Sequence, residues 1–426
     1  MDKTVDYDPY ELVKELFPIH RTIAGPGITK SLELIKKHIP GMKIKSVSSG
    51  KRVWDWKVPE EWSIDSAWIE DLQGRRIIDY QDSNLRVVGF STSVDQVISH
   101  SELLEHLHFL ENQPTAIPYV TSYYSPNWGF CIRHEELQKF DCDHYRVVIK
   151  SSFTKGSLKY GEILIRGNSR KEVLFSTNIC HPSMANNELS GPAVLVGLVK
   201  FLQLQHDLEY TYRIIFIPET IGAIVFLKKN LRKLKQNCIA GLVATCLGDK
   251  GNFSYIPSPS GTTLSDKVSK YILTGRGAKY YEWGDRGSDE RQFCWPKINL
   301  PICSITRSKY REFPEYHTSL DDLEFVSLKN LQESIEMYIS FCEVLELNRR
   351  YVNNIFGEPQ LSRRNLYAAV SKVGSTASGV KFLDIMNLMD GTRDLIDIST
   401  KLNRTIDDIA HDIQILQQYN LVKEKR

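Results

Sequence analysis

The 426-residue sequence contains no uninterrupted apolar run long enough to span a bilayer, which argues against a transmembrane helix. It also lacks charge of one dominant sign. Lys and Arg number 54 against 52 Asp and Glu, a formal net charge of +2, so no global field draws the chain to nucleic acid or anionic membrane. The eight cysteines include no C-x-x-C pair and no small-domain spacing, which excludes a disulfide scaffold. Cys180, Cys246 and Cys303 fall in strand-like runs, as buried reduced thiols of a cytoplasmic protein do. The segment Met1-Asp-Lys-Thr-Val-Asp6 is polar, so no secretory signal is expected. There is no internal repeat, and no G-x-S-x-G surrounds Ser190, which assigns that serine to a turn rather than to nucleophilic chemistry.

What is present supports real cores. The apolar fraction is 42%, and the length calls for two or three domains. Helical spacing covers residues 8–39 with a break at Gly25-Pro-Gly27, and Lys43–Val47 reads as a strand. From about 50 to 150 the chain turns aromatic and turn-rich, with Val53-Trp-Asp-Trp-Lys-Val-Pro59, Tyr119-Val-Thr-Ser-Tyr-Tyr124 and Trp128-Gly-Phe130. This predicts a β-rich insertion with a helix at 101–110, its tryptophans serving mainly as core rather than as a sugar or peptide platform. From 158 strands alternate with helices. The strands are 160–165, 173–179, 212–217, 239–246 and 302–306; the helices are 193–204, 221–234, 263–274 and 328–347. That rhythm predicts a mostly parallel sheet flanked by helices. The expected boundaries are 1–49 with 157–350 for the α/β domain, 50–156 for the insertion and 355–426 for a C-terminal domain.

Candidate chemistry gathers at the ends of these strands. Ser176-Thr-Asn-Ile-Cys-His-Pro-Ser-Met-Ala-Asn-Asn-Glu-Leu-Ser-Gly-Pro192 places His181 after one strand and Glu188 before a helix. Glu219 ends the strand Arg213-Ile-Ile-Phe-Ile-Pro-Glu219, although a carboxylate there also caps the next helix. Asp289 and Arg291 follow a Gly-rich turn, where a surface pair is the plain alternative. His317 lies in Tyr316-His-Thr-Ser-Leu-Asp-Asp322, within reach of Asp321 or Asp322. Ends of different strands are where α/β sheets assemble their sites. His106 and His108 have no acid or cysteine pattern around them and are read as packing residues.

The order of Cys180-His-Pro-Ser-Met, Asn187-Glu-Leu-Ser-Gly-Pro192, Pro218-Glu-Thr-Ile-Gly222, Gly287-Ser-Asp-Glu-Arg291 and Tyr316-His-Thr-Ser-Leu-Asp-Asp322 resembles the zinc-dependent aminopeptidases of the bacterial leucyl-aminopeptidase class. More closely, the whole chain resembles a bacterial family of aminopeptidase-like proteins linked to polysaccharide biosynthesis, which share an inserted β module and a C-terminal winged helix. The resemblance implies His181 and His317 as zinc ligands and Glu219 as general base on the activated water. Asp289 would line the site. In the dinuclear enzymes a bridging aspartate stands where Asn187 is found here, and a metal-binding glutamate where Thr220 is found. A further aspartate falls near Thr245 or Cys246, with Asp249 just beyond. Amides and hydroxyls are poor zinc partners. The expectation is therefore one zinc per chain on His181, Glu188 and His317, with Asn187, Asp289 and Arg291 facing the substrate. That substrate would be a peptide or an amide-containing small molecule. The alternatives are a non-hydrolytic binding or scaffold protein on the same fold, and a winged-helix regulator.

In the tail, Phe382, Ile385, Met386 and Met389 form one helical face; Leu395, Ile398 and Leu402 a second; Ile406, Ile409, Ile413 and Leu416 a third. A Ser/Gly-rich stretch at 375–379 precedes them. The last helix, 406–419, carries Asp407, Asp408 and Asp412 and no Lys or Arg, which disfavours phosphate contact and suits a protein partner or self-association.

Overall fold

The computed structural model describes residues 6–366 and 380–425; the Ser/Gly-rich stretch at 375–379 lies outside the described residues. Two compact units are present, Met1–Asp266 with Leu273–Met337, and Lys267–Ile272 with Tyr338–Arg426.

The first unit starts with α1 (Pro9–Leu16), whose amides at Tyr10 and Glu11 donate to the Asp8 side chain. This is an N-cap that satisfies otherwise orphaned donors. Helix α2 (Pro26–His38) buries Ile28, Leu32 and Ile35 at helical spacing. The chain then runs through β1 (Lys43–Ser48) and the insertion strands β2 (Glu61–Asp71), β3 (Arg76–Asp79), β4 (Val94–Ser99) and β5 (His144–Thr154). It continues with β6 (Ser157–Ile165), β7 (Glu172–Asn178), α3 (Ser190–Gln203), β8 (Thr211–Ile217), α4 (Ile221–Asn237), β9 (Cys238–Ala244), β10 (Ser254–Ile256), β11 (Lys279–Tyr280) and β12 (Ile302–Thr306).

Eight strands form the main sheet in the order β1-β6-β8-β7-β9-β12-β10-β11. The central run β8-β7-β9-β12 is parallel, while β1, β6 and β10 pair antiparallel toward the edges. Strands β7, β8 and β12 are buried at every position, as a strand covered on both faces must be. The register aligns Asn178 with Ile217 and Thr177 with Ala244, so β7, β8 and β9 end in one row. Helix α3 lies close against that row. A Cβ on Gly191 would come within 2.5 Å of the Ala244 carbonyl oxygen and still closer to Thr177 Oγ1, so only glycine allows the approach. Arg213 is buried between Glu162 and Glu172, a charge cluster within the sheet.

The insertion builds its own antiparallel sheet, β3-β2-β5-β4, over a core that includes Ala67, Ile69, Ile78, Ile98, Phe130 and Val147. The helix expected at 101–110 is shorter, His100–Glu105. Leu107 and His108 instead pair with Phe130 and Cys131, which brings Leu107 into that core. No disulfide forms among the described residues, and six of the eight cysteines are buried.

The second unit contains a three-stranded sheet, in which Arg350–Asn353 lies between Asp390–Asp394 and Val422–Glu424. Helices Val380–Leu388, Leu395–Leu402 and Ile406–Gln418 bury Phe382, Ile385, Leu395, Ile398, Ile409, Ile413 and Leu416 against it. Asp412 is not on the solvent face as its acidic neighbours are: it is buried and paired with Lys381 and Arg404, each at 2.6 Å. Among the described residues no helix is long and apolar enough to cross a membrane.

Candidate active site

His181 follows β7 and Glu219 follows β8, at the carboxyl ends of adjacent parallel strands. Between β7 and α3 the chain makes one π-helical turn, Ala185–Leu189, which is fully buried and carries Asn187 and Glu188. Such turns add a residue to the helical repeat and re-aim side chains, often at functional sites. His317 comes from the loop before Leu328–Leu347. Its main-chain oxygen accepts from Tyr119 N at 2.8 Å, so the insertion holds this loop.

The geometry separates the predicted residues by position. His181 Nδ1 lies 2.8 Å from Glu188 Oε2, and its Nε2 lies 3.7 Å from Glu219 Oε2. Glu188 Oε1 accepts the amides of Cys180 and His181, the latter at 2.9 Å. Glu188, expected as a carboxylate donor beside the two histidines, therefore stands behind His181 and engages its Nδ1 and main chain. His317 Nε2 lies 3.2 Å from Asn187 Oδ1, and the two histidine rings are 5.2 Å apart. Asp321, one proposed partner of His317, instead accepts the amides of Asn186 and Asn187 at 2.6 and 2.9 Å. Asp289 is fully buried and accepts the Thr220 amide at 2.8 Å. Arg291 donates to Thr220 Oγ1 at 2.6 Å and sits 3.6 Å from Glu219 Oε1.

Burial works against the charge of Glu188, but the His181 ring and two amides outweigh it and lower its pKa. For His181, burial is outweighed by the Glu188 and Glu219 carboxylates, and the net shift is upward. His317 is pushed down to about 2 by burial and by the positive neighbours His181 and Arg311. Burial raises Glu219, with His181 and Arg291 opposing. Asp289 is driven well up by burial and by the Glu219 charge.

Several contributors escaped the sequence reading. Tyr119 packs against both histidines, at 4.9 and 5.2 Å between ring centres, and Tyr316 stacks on His317 at 3.9 Å. Tyr119 stood inside a noted motif, but nothing local tied it to a strand end in a different part of the chain. Arg21 is fully buried and donates to the His181 carbonyl at 3.0 Å. Backbone strain also gathers here: Thr220, Cys246 and His317 have φ of 61°, 52° and 57°, left-handed values that are unusual for residues other than glycine.

Buried Cys180, His181 and Glu188 place three potential ligand atoms within 4.8 Å of one another. His181 Nδ1 faces Glu188 Oε2 at 2.8 Å, and burial together with the Glu188 charge pushes the Cys180 thiol pKa up. His181 Nε2 is the nitrogen left for the cleft. A space of about 10 Å³, bounded by His181, Asn187, Glu219 and Thr245, has room for a single ion or water.

The family described as "Domain of unknown function (DUF4910)" matches residues 10–348. This chain belongs to the DUF4910 family. A winged helix-turn-helix family matches residues 349–424. A Clostridium acetobutylicum protein provisionally named a polysaccharide biosynthesis protein with aminopeptidase-like domain is 40% identical over 419 residues, 97% of this chain and 95% of the relative. A crystal structure from the same organism, provisionally described as a peptidase, has 38% identity and a TM-score of 0.90, covering 98% of this chain and 96% of that one. At fold level only, this DUF4910 chain is similar to the zinc aminopeptidase BSAP of Bacillus subtilis, with 13% identity, TM-score 0.57, and coverage of 79% and 94%. It is likewise similar to a peptidase M28 precursor of Shewanella amazonensis, with 13% identity, TM-score 0.58, and coverage of 83% and 95%. The fold is that of the aminopeptidases, with a C-terminal winged helix.

Proposed function

We propose that this DUF4910 protein is a metal-dependent hydrolase of amide bonds, an exopeptidase or a related amidase, acting on a peptide or an amide-containing small molecule. The observation that carries the reading is that His181, Glu219 and Asn187 line one small space at the strand ends, with His317 Nε2 3.2 Å from Asn187 Oδ1 behind it. The donor set fits one zinc. His181 keeps Nε2 for a ligand because Glu188 takes Nδ1, the arrangement that commonly stands behind metal-bound histidines. It does not fit two, since Asn187 and Thr220 supply no carboxylate.

In this reading His181 and His317, with the Asn187 amide oxygen as a weaker third donor, would hold one zinc, which would supply Lewis-acid activation. Glu188 is a positioning residue for His181. Glu219 takes the proton of the attacking water and returns it to the leaving amine. Asp289 holds the Thr220 amide and so fixes the strained turn that carries Glu219. The domain boundaries 1–49 with 157–350, 50–156 and 355–426 belong to the same proposal, as does a protein-contact role for the winged helix.

The experiment is metal analysis of chain purified without chelator, followed by a panel of aminoacyl and N-acyl amide substrates. Metal-dependent turnover that is lost in Glu219→Gln supports the hydrolase. Stoichiometric metal with no turnover on any member favours the second reading, a binding protein on the same fold, for which the missing carboxylates at Asn187 and Thr220 speak.

A further inference from the structure

A cavity of about 1050 Å³ is lined in part by Arg291, whose guanidinium bonds to Thr220 beside Glu219. Four of the chain's seven tryptophans line it: Trp54, Trp56, Trp283 and Trp295. Core packing does not account for three of them, although Lys228 lies over the Trp54 ring at 5.6 Å and Tyr124 meets Trp56 edge-on at 5.6 Å. Trp62 is buried, but Trp54 and Trp56 are each 37% exposed and Trp295 is 60% exposed. Trp54 and Asp55 form the tip of the hairpin between Arg52–Val53 and Trp56–Lys57, and Trp54 has φ of 56°. Hairpin tips with positive φ ordinarily take Asn, Asp or Gly. An exposed indole held in that conformation is unfavourable for folding, and such strain persists where a site needs it.

The same cavity is lined by Arg286, Arg291 and Arg311, against Asp55 as its one carboxylate. Arg286 lies over the Trp283 ring at 4.7 Å, a cation–π contact that fixes the guanidinium. Arg291 reaches from the cavity to the Glu219 loop through Thr220, and its Nε is buried with no partner, one donor still to be satisfied. Flat indole faces suit the apolar faces of pyranose rings, and guanidinium forks suit carboxylate or phosphate oxygens. Three arginines also repel the ammonium that a free peptide would present to an aminopeptidase.

We propose that this cleft binds an anionic carbohydrate and presents an amide substituent of it to Glu219, so that the substrate is an acidic, N-acylated sugar rather than a free peptide. The step rests on the hydrolase reading. Water oxygen bonds to the amide carbon, the C–N bond breaks, and the proton taken by Glu219 passes to the nitrogen, leaving a carboxylic acid and a sugar amine, which share the remaining water proton as carboxylate and ammonium.

Binding to the full chain is read by tryptophan fluorescence and calorimetry with four probes: an N-acetylneuraminic acid trimer, UDP-N-acetylglucosamine, chitotriose and triglutamate. At least one of the two anionic sugars is expected to bind about tenfold or more tightly than neutral chitotriose and sugar-free triglutamate, and which one identifies carboxylate or phosphate as the recognised anion. Trp56→Ala, Trp295→Ala and Arg286→Ala should each weaken that binding about tenfold at unchanged Tm, with Trp56→Phe retaining most of it. Failure of both anionic sugars to bind, equal binding of chitotriose, or insensitivity to the tryptophan variants overturns the proposal. Binding is read without turnover, so a chain that hydrolyses amides yet ignores these sugars sinks the cleft alone. A chain that binds them and cleaves nothing sinks the hydrolase reading instead.

Discussion

Glu219 stands between the His181 imidazole at 3.7 Å and the Arg291 guanidinium at 3.6 Å, and neither closes a direct hydrogen bond to it. Its carboxylate is thus held in place but left available, as a general base must be. Glu219→Gln keeps the shape and removes the base, so turnover should fall roughly a hundredfold or more while metal content stays unchanged. His181→Ala should lose the metal itself. Elemental analysis alongside initial rates separates the two, and full activity in both variants would place the chemistry elsewhere. The donor count makes a further expectation specific: about one tightly held zinc per chain. Two equally tight zincs by elemental analysis would contradict it.

Among the elements, α3 is the one whose position the site most depends on. The π turn that carries Asn187 and Glu188 leads directly into it, and Gly191 lets it approach the ends of β7 and β9. Gly191→Ala should destabilise the fold by roughly 1–3 kcal/mol through overpacking, measured by denaturant unfolding, and should shift the Asn187–His317 pairing with it. A wild-type midpoint in that variant would mean that the helix can move away freely. In the insertion, Glu136 is buried against Arg86 through bonds of 2.5 and 2.9 Å. Burial opposes its charge, but Arg86 and the Arg133 amide outweigh burial and hold its pKa down to about 2, below the ordinary 4.5. A depressed carboxylate pKa stabilises the fold above the unfolded-state pKa, and that stabilisation fades as pH falls toward the folded value. Stability should therefore decline between about pH 4.5 and 2. Glu136→Gln should lower stability at neutral pH and flatten that decline. Parallel pH curves for the two proteins would remove this pair as the cause.

For the whole molecule, the winged helix is the part whose partner is open. The solvent face of Ile406–Gln418 presents Asp407 and Asp408, while Asp412 is consumed internally by Lys381 and Arg404. The visible charge remains acidic, and phosphate contact needs the opposite sign. A gel shift of the full chain at moderate salt is expected to show no tight DNA binding, and removal of 355–426 is expected to alter self-association. Tight, salt-sensitive binding that disappears with the tail would make the protein a regulator instead.

The sequence by itself determined the layered α/β order and the position of His181 and Glu219 just beyond strand ends. Both follow from local periodicity and from the rule that parallel strands end at a common edge. The strands β7, β8 and β12, and His181 and Glu219 beyond two of them, were legible for that reason. The tail's three buried helical faces were legible in the same way. What only the tertiary structure decided are relations between distant segments. Glu188 faces His181 Nδ1 because a π turn, invisible in spacing, rotates it there. Tyr119 reaches both histidines because the insertion bonds to the His317 loop. Trp54 and Trp56, read as core, line a cleft with Trp283 and Trp295 because a hairpin tip and a later loop meet across more than two hundred residues of chain. Periodicity states which face of an element is apolar, but which element covers that face is settled only by packing.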